Sequence, residues 1–332
     1  MILDGNDASA IRTAALKLQA GELVGWPTET VYGLGADANS DAAVARIFTA
    51  KGRPADHPLI VHVAQASGAQ VFASDIPTFA QRLIDAFWPG PLTLILPRRQ
   101  GIATAAAGQQ DSIGLRCPSH PVAQAMLSAC QALGVQGLAA PSANRFGRVS
   151  PTSAAHVADE FGDGLLILDG GACTVGIEST IIDCTRGVPI LLRPGAITFE
   201  QVQNMCGSVA SADPGLARPA PRASGTLQSH YAPNAKVRLM DAAALQSALN
   251  QSALASQQAP RWLAVYARTP LFSGAEKVLF RPMPDQAERA ARQLFAVLRE
   301  LDAQGVREIW VETPPASPDW AGVSDRLRRA AA

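Results

Sequence analysis

From Gly25 to Val63 the chain reads G-W-P-T-E-T-V-Y-G-L-G-A-D-A, then, past a short apolar segment, I-F-T-A-K-G-R-P-A-D-H-P-L-I-V-H-V. Two turns punctuated by glycine and proline flank a short helix, and the second carries Lys51, Arg53, His57 and His62. The helical pattern ends near Ala50, Pro54 opposes its continuation, and Leu59–Val63 has the apolar run of a strand. Lys51 and Arg53 lie two apart, so an extended segment would turn both to one side. A paired cation at a helix-to-strand turn suits a ligand with several anionic groups, such as a nucleoside triphosphate. Alone, the same pattern is also that of a solvated surface turn.

Elsewhere the chain limits the alternatives. At 332 residues, 48% of them hydrophobic, it can bury more than one core. Lys and Arg together number 28, as do Asp and Glu, which argues against a protein built to coat nucleic acid or an anionic membrane. Five cysteines, Cys117, Cys130, Cys173, Cys184 and Cys206, form no C-x-x-C pair; buried free thiols are expected, with neither a zinc site nor a disulfide framework. The opening Met-Ile-Leu-Asp-Gly-Asn-Asp does not read as a signal peptide, and no apolar run reaches membrane-spanning length. A soluble cytoplasmic protein is the expectation.

The periodicities predict helices near residues 8–20, 41–50, 77–87 and 121–133, and strands near 22–26, 59–63, 92–96, 113–116, 138–140, 165–169, 180–184 and 190–193. Strands outnumber helices, so a twisted mixed sheet with flanking helices fits better than regular doubly wound alternation. We assign 1–207 to this first α/β domain. Residues 208–233, rich in Pro, Ala, Ser and Gly, read as a linker whose end, Ser229-His230-Tyr231, is less plain. Residues 234–332 alternate strands and helices, as in a small parallel-sheet αβ domain.

Gly33-Leu34-Gly35-Ala36-Asp37-Ala38 matches a dinucleotide fingerprint but lacks its strand-turn-helix setting. No phosphate-binding G-x-x-x-x-G-K-[ST] loop, G-x-S-x-G elbow or H-E-x-x-H motif occurs. What remains are cations and hydroxyls beside sharp turns: Arg116, Ser142, Asn144, Ser150, Ser179, Thr180 and Arg193. Each alone is an ordinary turn residue. Together with Lys51 and Arg53 they make a pocket with phosphate-binding cations, an arginine for a carboxylate and small hydroxyls for polar heads. With no carboxylate dyad or nucleophile–base pair, such a site works by orientation and charge stabilisation, which suits phosphoryl or nucleotidyl transfer.

Five segments occur in a fixed order: Pro27-Thr28-Glu29-Thr30-Val31-Tyr32-Gly33-Leu34; Lys51-Gly52-Arg53-Pro54 with Pro58-Leu59; Trp88-Pro89-Gly90-Pro91-Leu92-Thr93; Pro141-Ser142-Ala143-Asn144; and Ser179-Thr180. In these the chain closely resembles the threonylcarbamoyl-AMP synthase family, with its YrdC-like fold and K-x-R and S-x-N signatures. Ser229-His230-Tyr231-Ala232-Pro233 and the block after it resemble the long, two-domain form. The resemblance implies that L-threonine, bicarbonate and ATP give threonylcarbamoyl-adenylate and pyrophosphate. It also implies hand-over to a transferase complex that modifies tRNA beside the anticodon. By position it assigns Lys51, Arg53, Ser142 and Asn144 to catalysis, and Thr30, His62, Arg116, Ala140 and Ser179 to threonine. Arg53, His57, Ser112, Ser142, Ser150, Arg193 and Tyr231 go to ATP. Mg2+ is expected to arrive with ATP, with no carboxylate cage of its own. Tyr231 would make the linker a lid over the nucleotide. Gly225-Thr226-Leu227-Gln228-Ser229 departs from relatives that carry a basic or aromatic residue before the His-Tyr pair.

Three other readings remain. A carbamoyl-transfer enzyme on the same fold would carry zinc-finger modules, for which no cysteine cluster exists here. A double-stranded RNA-binding module would bind with steep salt dependence, and stable nucleic-acid binding is not expected at zero net charge. A dehydrogenase using Gly33 and Gly35 would bind a nicotinamide.

Overall fold

Strands that alternate their side chains bury one face and leave the other to carry chemistry. The computed structural model describes residues 1–207, 210–211, 221–226, 230–255, 263–272 and 278–332. They fall into two units, Met1–Phe146 with Ser150–Thr226, and Gly147–Val149 with Leu227–Ala332. Of the stretch read as a linker, residues 208–209, 212–220 and 227–229, Ser229 included, lie outside the described residues.

The strands of the first unit are β1 (Ile2–Asp4), β2 (Val24–Trp26), β3 (Gly33–Asp37), β4 (Ile60–His62), β5 (Leu92–Pro97), β6 (Ser112–Arg116), β7 (Leu138–Ala139), β8 (Leu166–Asp169), β9 (Thr180–Asp183), β10 (Ile190–Arg193) and β11 (Ala210–Ser211). They pair in the order β1-β8-β2-β3-β7-β4-β6-β5-β9-β10-β11, with parallel and antiparallel neighbours mixed. The helices are α1 (Ala8–Gln19), α2 (Asp41–Lys51), α3 (Ala69–Phe72), α4 (Thr78–Phe87), α5 (Pro121–Ala132), α6 (Ala154–Phe161) and α7 (Phe199–Cys206).

One sheet face turns Leu34, Val61, Leu92, Leu94, Leu115 and Ile182 into a core with residues of α2, α4 and α6. The other face packs Val24, Trp26, Leu138 and Leu168 against α1 and α5. Further along this second face, β4, β6, β5, β9 and β10 carry polar side chains. Capping follows the sequence: Asp7 and Ser40 cap α1 and α2 through their side chains, and Gly52 ends α2 at φ 63°, a left-handed conformation suited to glycine.

Six elements of this unit were not anticipated: β1, β3, α3, α6, α7 and β11. The glycine-rich text at β3 reads as a turn, yet glycine is required there. A Cβ on Gly35 would stand 2.7 Å from the Trp26 indole nitrogen. The dinucleotide fingerprint is therefore strand β3 itself, and α2 opens only at Asp41, beyond the last residue of the motif.

In the second unit, β12 (Lys236–Met240), β13 (Leu263–Ala267), β14 (Val278–Pro282) and β15 (Glu308–Glu312) form a parallel sheet in the order β12-β15-β13-β14. It is accompanied by α8 (Ala242–Ala255), α9 (Ala287–Ala303) and α10 (Ala321–Ala330). Its end is tied by Glu312, buried, which pairs with Arg268 at 2.6 Å and accepts from the amides of Arg268 and Thr269. Tyr231 lies in this unit at φ 64°, its ring 5.4 Å from Phe295 and beneath the Arg326 guanidinium. The described cysteines are all free thiols, four of them buried. No described helix is long and apolar enough to cross a membrane.

Candidate functional site

Register builds the site. His62 stands opposite Arg116 in the β4–β6 pairing. One step beyond the Leu94–Leu115 pair of β5 and β6 comes Thr93, which is opposite Ile181 on β9, which is opposite Arg193 on β10. Their neighbours Val61, Leu94, Leu115 and Ile182 fill the core on the opposite face. Period-2 alternation therefore lines up His62, Arg116, Thr93 and Ile181 in one transverse row, and a register shift between Leu191 and Arg193 brings Arg193 to its end. At about 4.8 Å per strand, the two arginines are set roughly 14 Å apart in backbone terms.

At one end, the Arg116 Nη2 atom meets Glu29 Oε1 at 2.6 Å as a pair of charges, outside hydrogen-bond geometry, and both residues are buried. The other donors of Arg116 reach Thr30 Oγ1 at 2.8 Å and the Gly90 carbonyl at 3.2 Å. Thr30 Oγ1 is in turn 2.9 Å from Thr28 Oγ1. His62 is buried with its ring edge-on to Trp26 at 5.2 Å. Burial, and then the Arg116 charge, push its imidazole down to about 3, so it is neutral in the physiological range. Ala140 closes this end and donates its amide to Ile60.

At the other end, Arg193 donates to the Ser179 carbonyl, to Ser179 Oγ and to the Ser224 carbonyl. Arg53 donates to the Pro58 carbonyl and to Ser224 Oγ, and lies over the Phe146 ring at 5.9 Å. His57 packs edge-on to the same ring; partial burial, and then the Arg53 charge, lower its pKa. Ser150 Oγ donates to Glu178 at 2.5 Å. Ser179 is held close to the turn after β10, because a Cβ on Gly195 would meet the Thr180 amide at 2.5 Å. Between the ends runs a shallow groove floored by Ile60, Gly114, Thr93, Ile95 and Ile181, edged by Ser112, and bordered by Arg222 and Ser224.

The K-x-R pair divides its labour. Lys51 is the last residue of α2, not part of an extended segment, and Gly52 turns the chain before Arg53. Lys51 is buried and donates to the carbonyls of Ser142, at 2.6 Å, and Asn144. Burial, reinforced by the neighbouring Arg53 charge, lowers its pKa well below the usual lysine value. The helix end is thus stitched to the S-x-N turn, which is also held by the Ala143 amide on the Tyr32 carbonyl.

The first unit therefore brings together Thr30, Lys51, Arg53, His57, His62, Ser112, Arg116, Ala140, Ser142, Asn144, Ser150, Ser179 and Arg193 on one side of its sheet and the adjoining turns. Tyr231 belongs to the other unit. Two buried residues were missed, Glu29 and Thr93. Thr93 was detectable as the lone polar residue in the alternating Leu92-Thr93-Leu94-Ile95-Leu96.

Residues 17–195 match the Sua5/YciO/YrdC family, described as telomere recombination, and residues 197–332 match the threonylcarbamoyl-AMP synthase C-terminal domain. The chain is 39% identical to the threonylcarbamoyl-AMP synthase of Pyrococcus abyssi, over 96% of this chain and 93% of that one. It is 37% identical to the Bacillus subtilis protein of the same name, over 99% and 94%. The crystal structure of P. abyssi Sua5 complexed with L-threonine superposes with a TM-score of 0.89 at 36% identity, covering all of this chain and 97% of that one.

Proposed function

This chain belongs to the threonylcarbamoyl-AMP synthase family, and on that premise we propose that it converts L-threonine, bicarbonate and ATP into threonylcarbamoyl-adenylate and pyrophosphate. The product would supply the threonylcarbamoyl group of a modified tRNA adenosine, through a separate transferase complex in the cytoplasm. The observation that carries the reading is the row itself, with Arg116 paired to Glu29 at one end and Arg193, which shares Ser224 with Arg53, at the other.

Threonine is a zwitterion. Arg116 would take its carboxylate in a fork, with Thr30 and Glu29 holding the guanidinium in plane, and His62, Ala140 and Ser179 would bound the rest of the amino acid. Its ammonium first gives up a proton to water, the free amine forms the N–C bond with the bicarbonate carbon, and water leaves. A carbamate oxygen then attacks the α-phosphorus, and the α–β anhydride electrons depart with pyrophosphate. Arg53 and Arg193 would stabilise that leaving charge, with His57, Ser112, Ser142 and Ser150 along the nucleotide. Lys51 has two N–H bonds on carbonyls, which leaves its third position for a phosphate oxygen. Magnesium would come as part of the nucleotide, through phosphate oxygens and water. Among the described residues no three His, Cys, Asp or Glu side chains gather as a resident site.

The test is pyrophosphate release from ATP and magnesium, with threonine and bicarbonate omitted in turn. Release is expected only with both. Release without threonine would replace this reading with an ATPase or another acceptor.

A further inference from the structure

Thr93 is fully buried, lies in the row between Arg116 and Arg193, and forms part of the groove floor. Its hydroxyl is 2.7 Å from Ser179 Oγ, and the same Ser179 oxygen accepts from Arg193 Nη2 at 3.2 Å. Ser179 is itself almost wholly buried. We propose that Thr93 is a positioning residue that orients the Ser179 hydroxyl, and through it couples the threonine and nucleotide subsites.

The argument counts protons. Two hydroxyls share one hydrogen bond, so one of their two hydrogens stays available whichever of them donates. A guanidinium can only donate, so Arg193 fixes Ser179 Oγ as an acceptor on its side. When Thr93 also donates, Ser179 accepts twice and its own hydrogen is directed to the amino-acid subsite. There it meets an acceptor, the threonine-derived carboxylate or the carbamate oxygen. Anionic phosphates arriving at Arg193 shift that guanidinium, and Ser179 registers the shift. Without Thr93 the Ser179 hydroxyl can rotate, and the link between the two subsites is lost. This rests on the synthase reading, in which Ser179 faces threonine and Arg193 the triphosphate.

The experiment measures threonine affinity by calorimetry with and without α,β-methylene-ATP and magnesium, alongside pyrophosphate release. Wild type should bind threonine more tightly with the analogue present. Thr93→Val, which keeps volume and branching, should abolish most of that enhancement and cost roughly ten-fold in threonine affinity within the ternary complex, the scale of one buried hydrogen bond. Thr93→Ser should restore the enhancement. Thr93→Val should add nothing in a Ser179→Ala background, since the two act as one unit. Enhancement retained in Thr93→Val, or effects that add across the cycle, would overturn the proposal. Should Thr93→Val fail to fold, Thr93→Ala and Thr93→Ser take its place, and the proposal holds only if serine keeps the enhancement and alanine loses it. Wild-type protein that releases no pyrophosphate with all substrates would instead sink the synthase reading.

Discussion

The two ends of the row solve opposite problems with the same side chain. Arg116 is buried against the Glu29 carboxylate, whereas Arg53 and Arg193 both reach Ser224, one through its hydroxyl and the other through its carbonyl. A buried cation beside a carboxylate leaves a pocket close to neutral, suited to a ligand carrying both charges. Two arginines drawn to one serine gather donors in the geometry that an anionic group takes up. The histidines follow the same division: His62 is buried beside Arg116, while His57 is half-exposed near Arg53.

The largest expected effect comes from breaking the compensated end. Arg116→Ala leaves Glu29 buried without its partner, so stability should fall by about 3–5 kcal/mol in chemical denaturation, with threonine-dependent turnover lost. Arg193→Ala should instead raise the ATP KM and spare most of the stability. If both variants destabilised equally, the contrast between the ends would collapse.

Glu29→Gln sharpens it. Threonine KM should rise roughly ten-fold through loss of a charge-assisted contact. Inhibition by 3-hydroxybutyrate, which has the carboxylate and hydroxyl but no ammonium, should tighten. Weaker binding of both compounds would mean that Glu29 only holds the fold.

The pH dependence is smaller. The unfolded chain protonates His62 below its ordinary 6.5, while the folded one resists until about 3, so stability is present above 6.5 and is lost as pH falls between those values. The loss at pH 5 should be about 2 kcal/mol, read from denaturant midpoints at pH 7 and 5, and His62→Gln should flatten it.

The smallest signal belongs to the nucleotide end. A triphosphate approaching Lys51 raises its depressed pKa, so ATP binding should take up a fraction of a proton. Calorimetry in buffers of different ionisation enthalpy measures this, and Lys51→Met should remove it.

Much of this was legible in the sequence because cations and hydroxyls beside Pro and Gly turns advertise themselves. The helix over 41–50, the β4 strand that follows it and the cations between them read directly. Thr93 and Glu29 escaped because their roles depend on which strands become neighbours, and pairing order is not written in any local window. The β3 strand escaped because glycine is a poor strand former, and its need here comes from the Trp26 indole across the pair. The α7 helix had a signature, the Thr198–Gln201 capping box, which was passed over.

The transverse row makes the site and the core a single specification. Deleting one residue from β6 would exchange Arg116 for Leu115, emptying the site and driving a charge into the core at once. Evolution can therefore change such a site by substitution but not by insertion or deletion within β4, β5, β6 or β9, whereas β10 already absorbs a register shift between Leu191 and Arg193. Variation in length has to be sought in the loops that join them.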